Sequence, residues 1–401
     1  MNKRTILFVL NIGFDRHGPC VHLFNDIFKT FLESNYRVVV IQRVEKLTNN
    51  SLAMVDESLI QNNDIKFITI TDKHINSTSF VKRYFAEYLY SLKLKNVYKK
   101  FQNIDAVFIE STFTLKSYSK NIRKILKCPI LYNCQDIFPE NASTMGLIKN
   151  RGFVYKMFSR SQLKGYENVD KIITISKKMK DTLMNFGVAE EKISFVYNWG
   201  TYKKERKDYC DELEKLINFD SGKFNVLYAG NIGYAQNVEI ILDVAKKVKN
   251  PNVVFYIVGN GSLKEKIIDE VTSNKVDNVR IFNAVPQKYS IDLYKRADIN
   301  FVCLKPGIIN TAMPSKIPNI VASGKPVIFT SDSISDLNDI FENIEGIHFV
   351  KSNCDDIAEL IDGLSKSRKK YNFMPIYDSF FSMKNTVHYV SIVNKLIDHE
   401  K

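Results

Sequence analysis

Several features that mark membrane or secreted proteins are missing from this chain of 401 residues. No apolar run reaches the roughly 20 residues that a helix needs to cross a bilayer. The first ten residues have too short an apolar core for a secretory signal peptide and no small-residue cleavage site, so they predict a first buried strand. The sequence therefore favours a cytoplasmic protein.

Cysteine is scarce and scattered. The cysteines form no CxxC pair and lack the neighbouring histidines of a zinc site. They predict reduced thiols that fill the core of the protein, and they give no support to a metal site. The six positions are Cys20, Cys128, Cys134, Cys210, Cys303 and Cys354.

Acidic residues are few in the first half. Residues 1–200 carry 30 Lys and Arg against 18 Asp and Glu, whereas the rest of the chain carries 27 against 26. This one-sided basic excess predicts an anionic partner for the first half: a nucleic acid, an acidic membrane surface or a phosphorylated acceptor. Nucleic acid ranks last because no recognised binding module accompanies the charge.

Short runs of Val, Ile and Phe alternate with stretches of helical periodicity, which is typical of βαβ units around parallel sheets. The first seven predicted strands cover residues 5–11, 37–42, 66–70, 106–110, 130–133, 171–175 and 194–197. The next six cover residues 225–229, 253–258, 279–282, 299–304, 326–329 and 348–350. The pattern predicts an α/β protein with two doubly wound, Rossmann-like sheets in tandem.

The boundary between the two domains is predicted in the charged stretch 203–223, which is poor in core residues. Residues 1–202 would form the first domain and residues 203–379 the second. The last segment has helical spacing and is expected to return to the first domain, so that residues from about 380 to 401 complete it. Ligands bind beyond the carboxyl ends of parallel strands, so we expect the two domains to face a cleft.

A strand that runs into a two-glycine turn is the sharpest local signal. Gly230, Asn231 and Gly233 follow the strand 225–229, and such glycines let backbone N–H groups approach phosphate oxygens. A tight turn without a ligand remains the alternative. A second turn carries Gly259 and predicts Ser262 as a helix N-cap, but it lacks the full GxGxxG pattern and so makes NAD binding improbable.

A third motif spans residues 310–328. Pro314 and Ser315 are predicted to begin a helix that ends at Ser323 and Gly324, and Lys316 would add positive charge to the free N–H groups at its start. Asn319 follows Ser315 by four residues, so we expect both on one helix face where a single ligand could contact them. A merely structural helix is the alternative.

With this third motif the chain resembles the retaining glycosyltransferases of family 4, which have the GT-B fold. Members commonly carry two glutamates in an E-x7-E pattern, and this sequence has Thr311 and Asn319 in their places. A branch similar to fucosamine and colanic-acid transferases instead reads P-S-K-x-x-N and G-N-x-G-x-x-Q. Residues 314–319 and 230–236, which end in Asn319 and Gln236, match those two patterns.

The resemblance implies roles for single residues. Lys316, Ser315 and the Gly230 turn would hold the diphosphate, and Asn319 would bind the ribose. Asn310 or Thr311 would meet the donor sugar. Ala284, within residues 281–285, would border the base through backbone atoms.

The resemblance also implies a reaction. A sugar would move from a nucleotide diphosphate, most simply UDP carrying an N-acetylated deoxyhexosamine, with retention and without a required metal or cofactor. The absence of a DxD-like pair near these motifs agrees with this. The acceptor would be a lipid-diphosphate-linked saccharide in surface polysaccharide synthesis, such as O-antigen or capsule, at the inner face of the cell membrane.

Two loops of the first half complete the candidate site. Gly13, with the His17-Gly18-Pro19 segment after it, resembles the glycine loop of the family, although an ordinary βα loop would look the same. Asp136 and Glu140 follow a buried strand, and either could accept the proton of the acceptor hydroxyl; an acidic helix N-terminus is the alternative. The family often has His where Gln135 stands.

Two basic stretches contain interleaved aromatic residues and resemble helices that lie on anionic lipid, although a solvated face over core aromatics would give the same pattern. The first has Lys82, Arg83, Lys93, Lys95, Lys99 and Lys100 among Phe80, Tyr84, Phe85, Tyr88, Leu89, Tyr90 and Tyr98. The second has Lys149, Arg151, Lys156, Arg160 and Lys164 around Phe153, Met157 and Phe158.

Two other functions stay open. A UDP-sugar 2-epimerase of the same architecture would need several carboxylates and a histidine in the cleft, for which His17 and His22 are the candidates. A nucleotide-sugar-binding protein without catalysis would keep its function when Asp136, Glu140 and Lys316 are removed.

Overall fold

The structure is a computed structural model, and it describes residues 3–16, 18, 20–73, 80–203, 208–331 and 335–399, without the side chains of residues 80, 81 and 399. The chain divides into two compact units. The N-terminal unit consists of Met1–Asn198, Thr311–Met313 and Met383–Lys401. The C-terminal unit consists of Trp199–Asn310 and Pro314–Ser382.

The N-terminal unit is built on a seven-stranded parallel sheet in the order β3-β2-β1-β4-β5-β6-β7. Its strands are β1 (Arg4–Val9), β2 (Tyr36–Val44), β3 (Ile65–Thr71), β4 (Ala106–Glu110), β5 (Ile130–Cys134), β6 (Lys171–Thr174) and β7 (Ile193–Phe195). Its helices are α1 (Val21–Glu33), α2 (Glu57–Ile60), α3 (Phe80–Tyr98), α4 (Leu115–Ile125), α5 (Glu140–Thr144), α6 (Phe153–Glu167), α7 (Lys177–Asn185) and α16 (Thr386–His399). All seven predicted strands are confirmed, with ends shifted by one or two residues.

The C-terminal helix α16 belongs to the N-terminal unit. Asn394 accepts hydrogen bonds from the Arg4 guanidinium (3.2 Å) and from the Tyr36 hydroxyl (2.5 Å). Tyr389 is buried, and its ring lies 6.0 Å from that of Phe108 between centroids. Because these contacts reach β1, β2 and β4, the last helix covers the middle of the sheet.

The C-terminal unit has a six-stranded parallel sheet in the order β10-β9-β8-β11-β12-β13. Its strands are β8 (Phe224–Ala229), β9 (Val253–Val258), β10 (Val279–Phe282), β11 (Ile299–Cys303), β12 (Val327–Thr330) and β13 (Ile347–Val350). Its helices are α8 (Cys210–Glu214), α9 (Glu239–Lys247), α10 (Lys264–Ser273), α11 (Ser290–Arg296), α12 (Ile317–Ser323), α13 (Asp336–Ile340), α14 (Cys354–Leu364) and α15 (Met374–Ile376). The six predicted strands of this half are confirmed as well.

The strand order reverses once in each sheet. The reversal lies between β1 and β4 in the first sheet and between β8 and β11 in the second. Open parallel sheets bind ligands beyond the carboxyl ends of the strands at this point. The loops after β1 and β4, and those after β8 and β11, are therefore the places where each unit would bind a ligand.

Two predictions about helix starts are wrong. Helix α12 begins at Ile317, with Lys316 at the N-cap position and Pro318 in its first turn, rather than at Pro314 and Ser315. Proline fits the first turn because its missing N–H would find no partner within the helix there. Helix α10 begins at Lys264 after Leu263, so Ser262 is not its N-cap.

Two expectations from the amino-acid composition can be compared with the structure. All six cysteines are free thiols, and three of them, Cys128, Cys134 and Cys303, are buried. Over the ranges of the chain that are described, no helix has both the length and the apolar character needed to span a bilayer.

Candidate functional site

Two glycine turns interlock at the carboxyl ends of β8 and β9. A Cβ atom on Gly259 would lie 1.9 Å from the Gly230 carbonyl oxygen, and one on Gly261 would lie 2.1 Å from the Ile232 carbonyl oxygen. Gly230 itself has a φ of 150°, a backbone conformation that L side chains rarely adopt. The glycines are therefore required for contact between the two turns as well as for any approach of a ligand.

The backbone N–H groups of the first turn are partly used. Gly230 donates to the Val258 carbonyl (2.9 Å) and Ile232 donates to the Asn260 carbonyl (2.9 Å). Within the described part of the chain, no partner is recorded for the N–H groups of Asn231 and Gly233. If this turn binds phosphate, the N–H groups of Asn231 and Gly233 are its donors. The prediction that backbone N–H groups of the turn bind phosphate is thereby limited to these two groups.

Lys316 lies directly above the first glycine turn. A Cβ atom on Gly230 would lie 2.8 Å from the Lys316 Nζ, and that Nζ stands 3.8 Å from the centroid of the Tyr228 ring. The Nζ atom is fully buried and has no hydrogen-bond partner among the described residues. Burial lowers the pKa of Lys316 from its ordinary 10.5 to about 8, although the nearby Cys303 thiol opposes this shift.

Ser315 and Asn319 do not share a helix face, contrary to the prediction. Ser315 precedes α12 and is exposed, whereas Asn319 is buried in the first turn of that helix. The Asn319 side-chain oxygen accepts from the Thr201 backbone N–H (2.7 Å), and its amide donates to the Ser290 hydroxyl (3.2 Å). The contact between Asn319 and the ribose stays a prediction. It requires the side chain to exchange its hydrogen bonds to Thr201 and Ser290 for bonds to the ribose hydroxyls.

The remaining predicted donor residues surround the same strand ends. Asn231 is exposed, and its side-chain amide donates to the Gln236 side-chain oxygen (3.3 Å). Ala284 is exposed just after β10, where Lys264 donates to the Phe282 carbonyl (3.3 Å) and to the Asn283 side chain (2.5 Å).

The predicted sugar-binding pair, Asn310 and Thr311, divides between the two units. Asn310 ends a short 3-10 turn in the C-terminal unit. Thr311 belongs to the N-terminal unit, where its carbonyl accepts a hydrogen bond from the Ile137 N–H (2.9 Å). Because Ile137 follows Asp136 directly, Thr311 borders the loop that carries the predicted proton acceptor.

The glycine loop of the N-terminal unit is closely packed. A Cβ atom on Gly13 would lie 2.6 Å from the Val44 side chain and 2.8 Å from the Arg43 carbonyl oxygen. The neighbouring Asn11 accepts from the Tyr118 hydroxyl (2.8 Å) and donates from its side chain to the Ser111 carbonyl (3.0 Å). His17 and Pro19, which complete the predicted loop, lie outside the described residues.

Glu110 lies beside this glycine loop and has a buried carboxyl group. The sequence analysis did not identify it as a site residue. It ends β4, is 5% exposed, and accepts the backbone N–H of Asn11 (2.8 Å). Burial raises its pKa to about 8, and hydrogen bonds from Asn11 and Ile12 oppose the rise. The sequence signal for this residue was a glutamate at the end of a strand predicted to be buried, because a carboxylate is rarely fully buried unless it is paired.

Asp136 and Glu140 follow β5 and have different surroundings. Asp136 is exposed as a residue, yet neighbouring protein atoms remove enough hydration to raise the pKa of its carboxyl to about 6. Glu140 begins α5 and accepts a hydrogen bond from the Tyr155 hydroxyl (2.7 Å), and burial raises its pKa. Its second oxygen is buried without a partner among the described residues.

Family comparisons agree with this architecture. The model "Glycosyltransferase Family 4" matches residues 27–199, and "Glycosyl transferases group 1" matches residues 211–376. The putative colanic acid biosynthesis glycosyl transferase WcaI of Escherichia coli is 28% identical over 199 residues, 49% of each chain. The probable glycosyltransferase WbjE of Pseudomonas aeruginosa is 24% identical over 265 residues, 64% of each chain. The matches thus span about half to two thirds of these relatives.

Solved structures agree on the fold. HepE of Anabaena, crystallised with UDP and glucose, has a TM-score of 0.73 at 15% identity and covers 98% of this chain and 99% of its own. Sucrose-phosphate synthase of Thermosynechococcus elongatus has a TM-score of 0.74 at 13% identity and covers 99% and 100%. Two Rossmann-like parallel sheets with these neighbours define the GT-B class.

Within that class, the two family models together cover most of the chain. The protein belongs to the glycosyltransferases of family 4. The predicted family and the predicted fold class are both confirmed.

Proposed function

We propose that this chain is a retaining glycosyltransferase that moves a sugar from a nucleoside diphosphate to a lipid-linked saccharide. The carrying observation is the Lys316 ammonium group, which is buried without a hydrogen-bond partner among the described residues over the turn at the end of β8. A buried unpaired charge is costly, so it is retained where a ligand of opposite charge supplies the partner.

In the proposed reaction, an oxygen of the acceptor forms a bond to the anomeric carbon while the bond from that carbon to the diphosphate breaks. The leaving diphosphate gains negative charge, which Lys316 and the N–H groups of Asn231 and Gly233 would stabilise. Stabilising charge that develops in the transition state is usually the largest single contribution to catalysis.

The acceptor hydroxyl must lose its proton as it attacks. Asp136 is our preferred acceptor of this proton, because a pKa of about 6 leaves it ionised at neutral pH and yet basic enough to bind a proton. Glu140 is the alternative, and its buried, unpartnered oxygen supports it. The Tyr155 hydroxyl would fix the orientation of that carboxyl.

UDP is the proposed nucleotide, supported by the presence of UDP in the solved HepE structure. An N-acetylated deoxyhexosamine is the proposed sugar, because residues 314–319 and 230–236 match the branch pattern. Surface polysaccharide synthesis is the process in which such a product would be used.

Exposed apolar side chains on α3 and α6 support a lipid-linked acceptor. Phe85 and Leu89 on α3 are 60% and 57% exposed, and Phe153 and Met157 on α6 are 84% and 47% exposed. Other aromatic residues of these stretches, such as Tyr98, are buried, so the amphipathic pattern covers both a core face and an outer face. We call these exposed apolar residues of the two helices, Phe85, Leu89, Phe153, Val154 and Met157, the apolar patch.

Basic side chains border the apolar patch. A surface cavity of about 590 Å³ lies beside α6, and it combines aromatic residues with four cationic ones. Its lining includes Lys116, Lys156, Arg160 and Lys164 together with Tyr84, Phe153 and Met157. Exposed rings next to cations match the interface of a bilayer rich in anionic lipid, where rings insert between headgroups and cations pair with phosphates.

The membrane proposal is tested by sedimentation with vesicles. Vesicles that contain about a third anionic lipid should bind the protein, and neutral vesicles should not. The double variant Phe153→Ser with Met157→Ser should lose binding while keeping its thermal midpoint, because both side chains are largely exposed. Substitution of two exposed residues of the C-terminal unit, Leu216→Ser and Tyr234→Ser, provides the matched control. Equal vesicle binding by the two double variants would refute the proposal that the apolar patch binds the membrane.

The transferase proposal is tested with purified protein, UDP-sugars and a lipid-linked acceptor. The expected product is the extended acceptor, with retained anomeric configuration in its NMR coupling constants. A 2-epimerase would convert the donor without an acceptor, and a binding protein would bind UDP without changing either compound. These outcomes separate the three functions in one experiment.

A further inference from the structure

Tyr228 connects the two parts of the proposed diphosphate site. It lies near the end of β8, is 1% exposed, and belongs to the core of the C-terminal unit. The face of its ring supports the Lys316 Nζ at 3.8 Å from the centroid. Its hydroxyl donates to the Asn231 carbonyl at 2.5 Å, so the same side chain contacts the glycine turn.

We infer that Tyr228 is a positioning residue that holds the Lys316 ammonium group and the Asn231 peptide in place for a diphosphate. This inference rests on the proposed function. The negative face of an aromatic ring attracts a cation, which favours the charged form of Lys316 where burial disfavours it. The tyrosine hydroxyl fixes the carbonyl of Asn231 and thereby the peptide plane between Asn231 and Ile232, which lies between the two N–H groups proposed as donors.

No carboxylate competes for this role among the groups recorded around Lys316. The groups that face its amine are the Tyr228 ring from β8, the Gly230 backbone and the Cys303 thiol from β11. Burial raises the pKa of Cys303 to about 12, so the thiol is neutral at physiological pH. The Glu239 carboxylate, at the start of α9, contributes to the raised pKa of Cys303 but is not among the groups that shift the pKa of Lys316.

The consequence is a pH dependence of nucleotide affinity. Only the charged form of Lys316 attracts a diphosphate, so the affinity for UDP should fall as pH rises through about 8. Replacing the ring of Tyr228 by an aliphatic side chain should move that midpoint down by about 0.5 to 1 pH unit. A ring that serves only as core packing would weaken binding equally at every pH.

The experiment is titration of the full chain with UDP by calorimetry between pH 6 and pH 10. Tyr228→Leu removes the ring, Tyr228→Phe removes only the hydroxyl, and Phe301→Leu is the control for losing a buried ring of the same sheet. We expect a lower midpoint in Tyr228→Leu alone, and a pH-independent loss of a few-fold in Tyr228→Phe. An unmoved or raised midpoint in Tyr228→Leu overturns the inference.

A measurement without ligand separates this inference from the proposed function. The difference in unfolding free energy between the protein and its Lys316→Met variant, followed over pH, reports the pKa of Lys316. We expect the Tyr228→Leu background to lower the pKa obtained in this way. If wild-type protein binds no nucleotide but this shift is seen, the proposed function fails and the role of Tyr228 in holding the amine stands. If the shift is absent, the role of Tyr228 fails.

Discussion

Replacing Lys316 by methionine should stabilise the protein and abolish its response to UDP. The change shortens the side chain by one atom and removes a buried charge. Lowering the pKa from 10.5 to about 8 corresponds to about 3 kcal/mol against the folded state when the amine is charged. This pKa already includes the attraction of the Tyr228 ring for the amine, so about 3 kcal/mol is the largest gain expected from removing the charge.

The sign of the pH dependence follows from the direction of the shift. The folded state disfavours the charged amine, so the cost is complete below about pH 8 and disappears as pH rises above 10.5. We therefore expect Lys316→Met to unfold up to about 10 °C above wild type at pH 7, with the difference vanishing near pH 10.5.

The assay is thermal unfolding with and without UDP. Saturation at 100 times the dissociation constant should stabilise wild type by about 2.7 kcal/mol and leave Lys316→Met unchanged. Lys325→Met is the control, because burial also lowers the pKa of Lys325 but this lysine faces Asp298 rather than the glycine turn. The reasoning fails if Lys316→Met is less stable than wild type at pH 7, or if it still responds to UDP.

Four further predictions test other residues. Glu110→Gln should raise stability at pH 8 but not at pH 5, because a carboxyl with a raised pKa opposes folding only as pH rises from its ordinary value towards 8; equal effects at both pH values would contradict this. Asp136→Asn should lower kcat by at least about 100-fold with the KM for donor unchanged, and wild-type activity should fall below about pH 6. Gly259→Ala should cost more than about 3 kcal/mol in urea unfolding because its Cβ atom would overlap the Gly230 carbonyl, whereas the helical control Gly363→Ala, with open space around it, should gain up to about 1 kcal/mol. Tyr98→Phe should be neutral or stabilising by about 1 kcal/mol, as measured by chemical denaturation, because its buried hydroxyl has no partner in the described chain.

Strand positions could be predicted because the signal is local. Parallel strands are covered on both faces, so each one is a short continuous run of apolar residues, as in residues 106–110 and 253–258. The glycine turns after β8 and β9 were also predicted from the sequence, since glycine directly after a buried apolar run indicates a turn. The start of α12 was not predicted correctly. Pro314 and Pro318 both suit the first turn of a helix, and the helix has Pro318 in that position.

The residues of the site needed tertiary information. Ser315 and Asn319 are close in sequence, yet one is exposed and the other is bonded to Thr201 and Ser290. Tyr228 looks like an ordinary core residue of a strand until its ring is seen under Lys316. Glu110 is an acidic residue at a strand end, and only its contact with the N–H of Asn11 assigns it to the glycine loop.

The amino-acid sequence by itself determined the two parallel sheets, the glycine turns and the family, because apolar runs and glycine spacing act over a few neighbouring residues. Tertiary structure alone decided which N–H groups of the Gly230 turn have no partner among the described residues and could bind a ligand, since the residues at and after the end of β9 accept from the others. It also decided that Lys316 is buried without a hydrogen-bond partner among the described residues and is held against Tyr228. Burial and the pairing of charges depend on groups far apart in sequence, which no local pattern records.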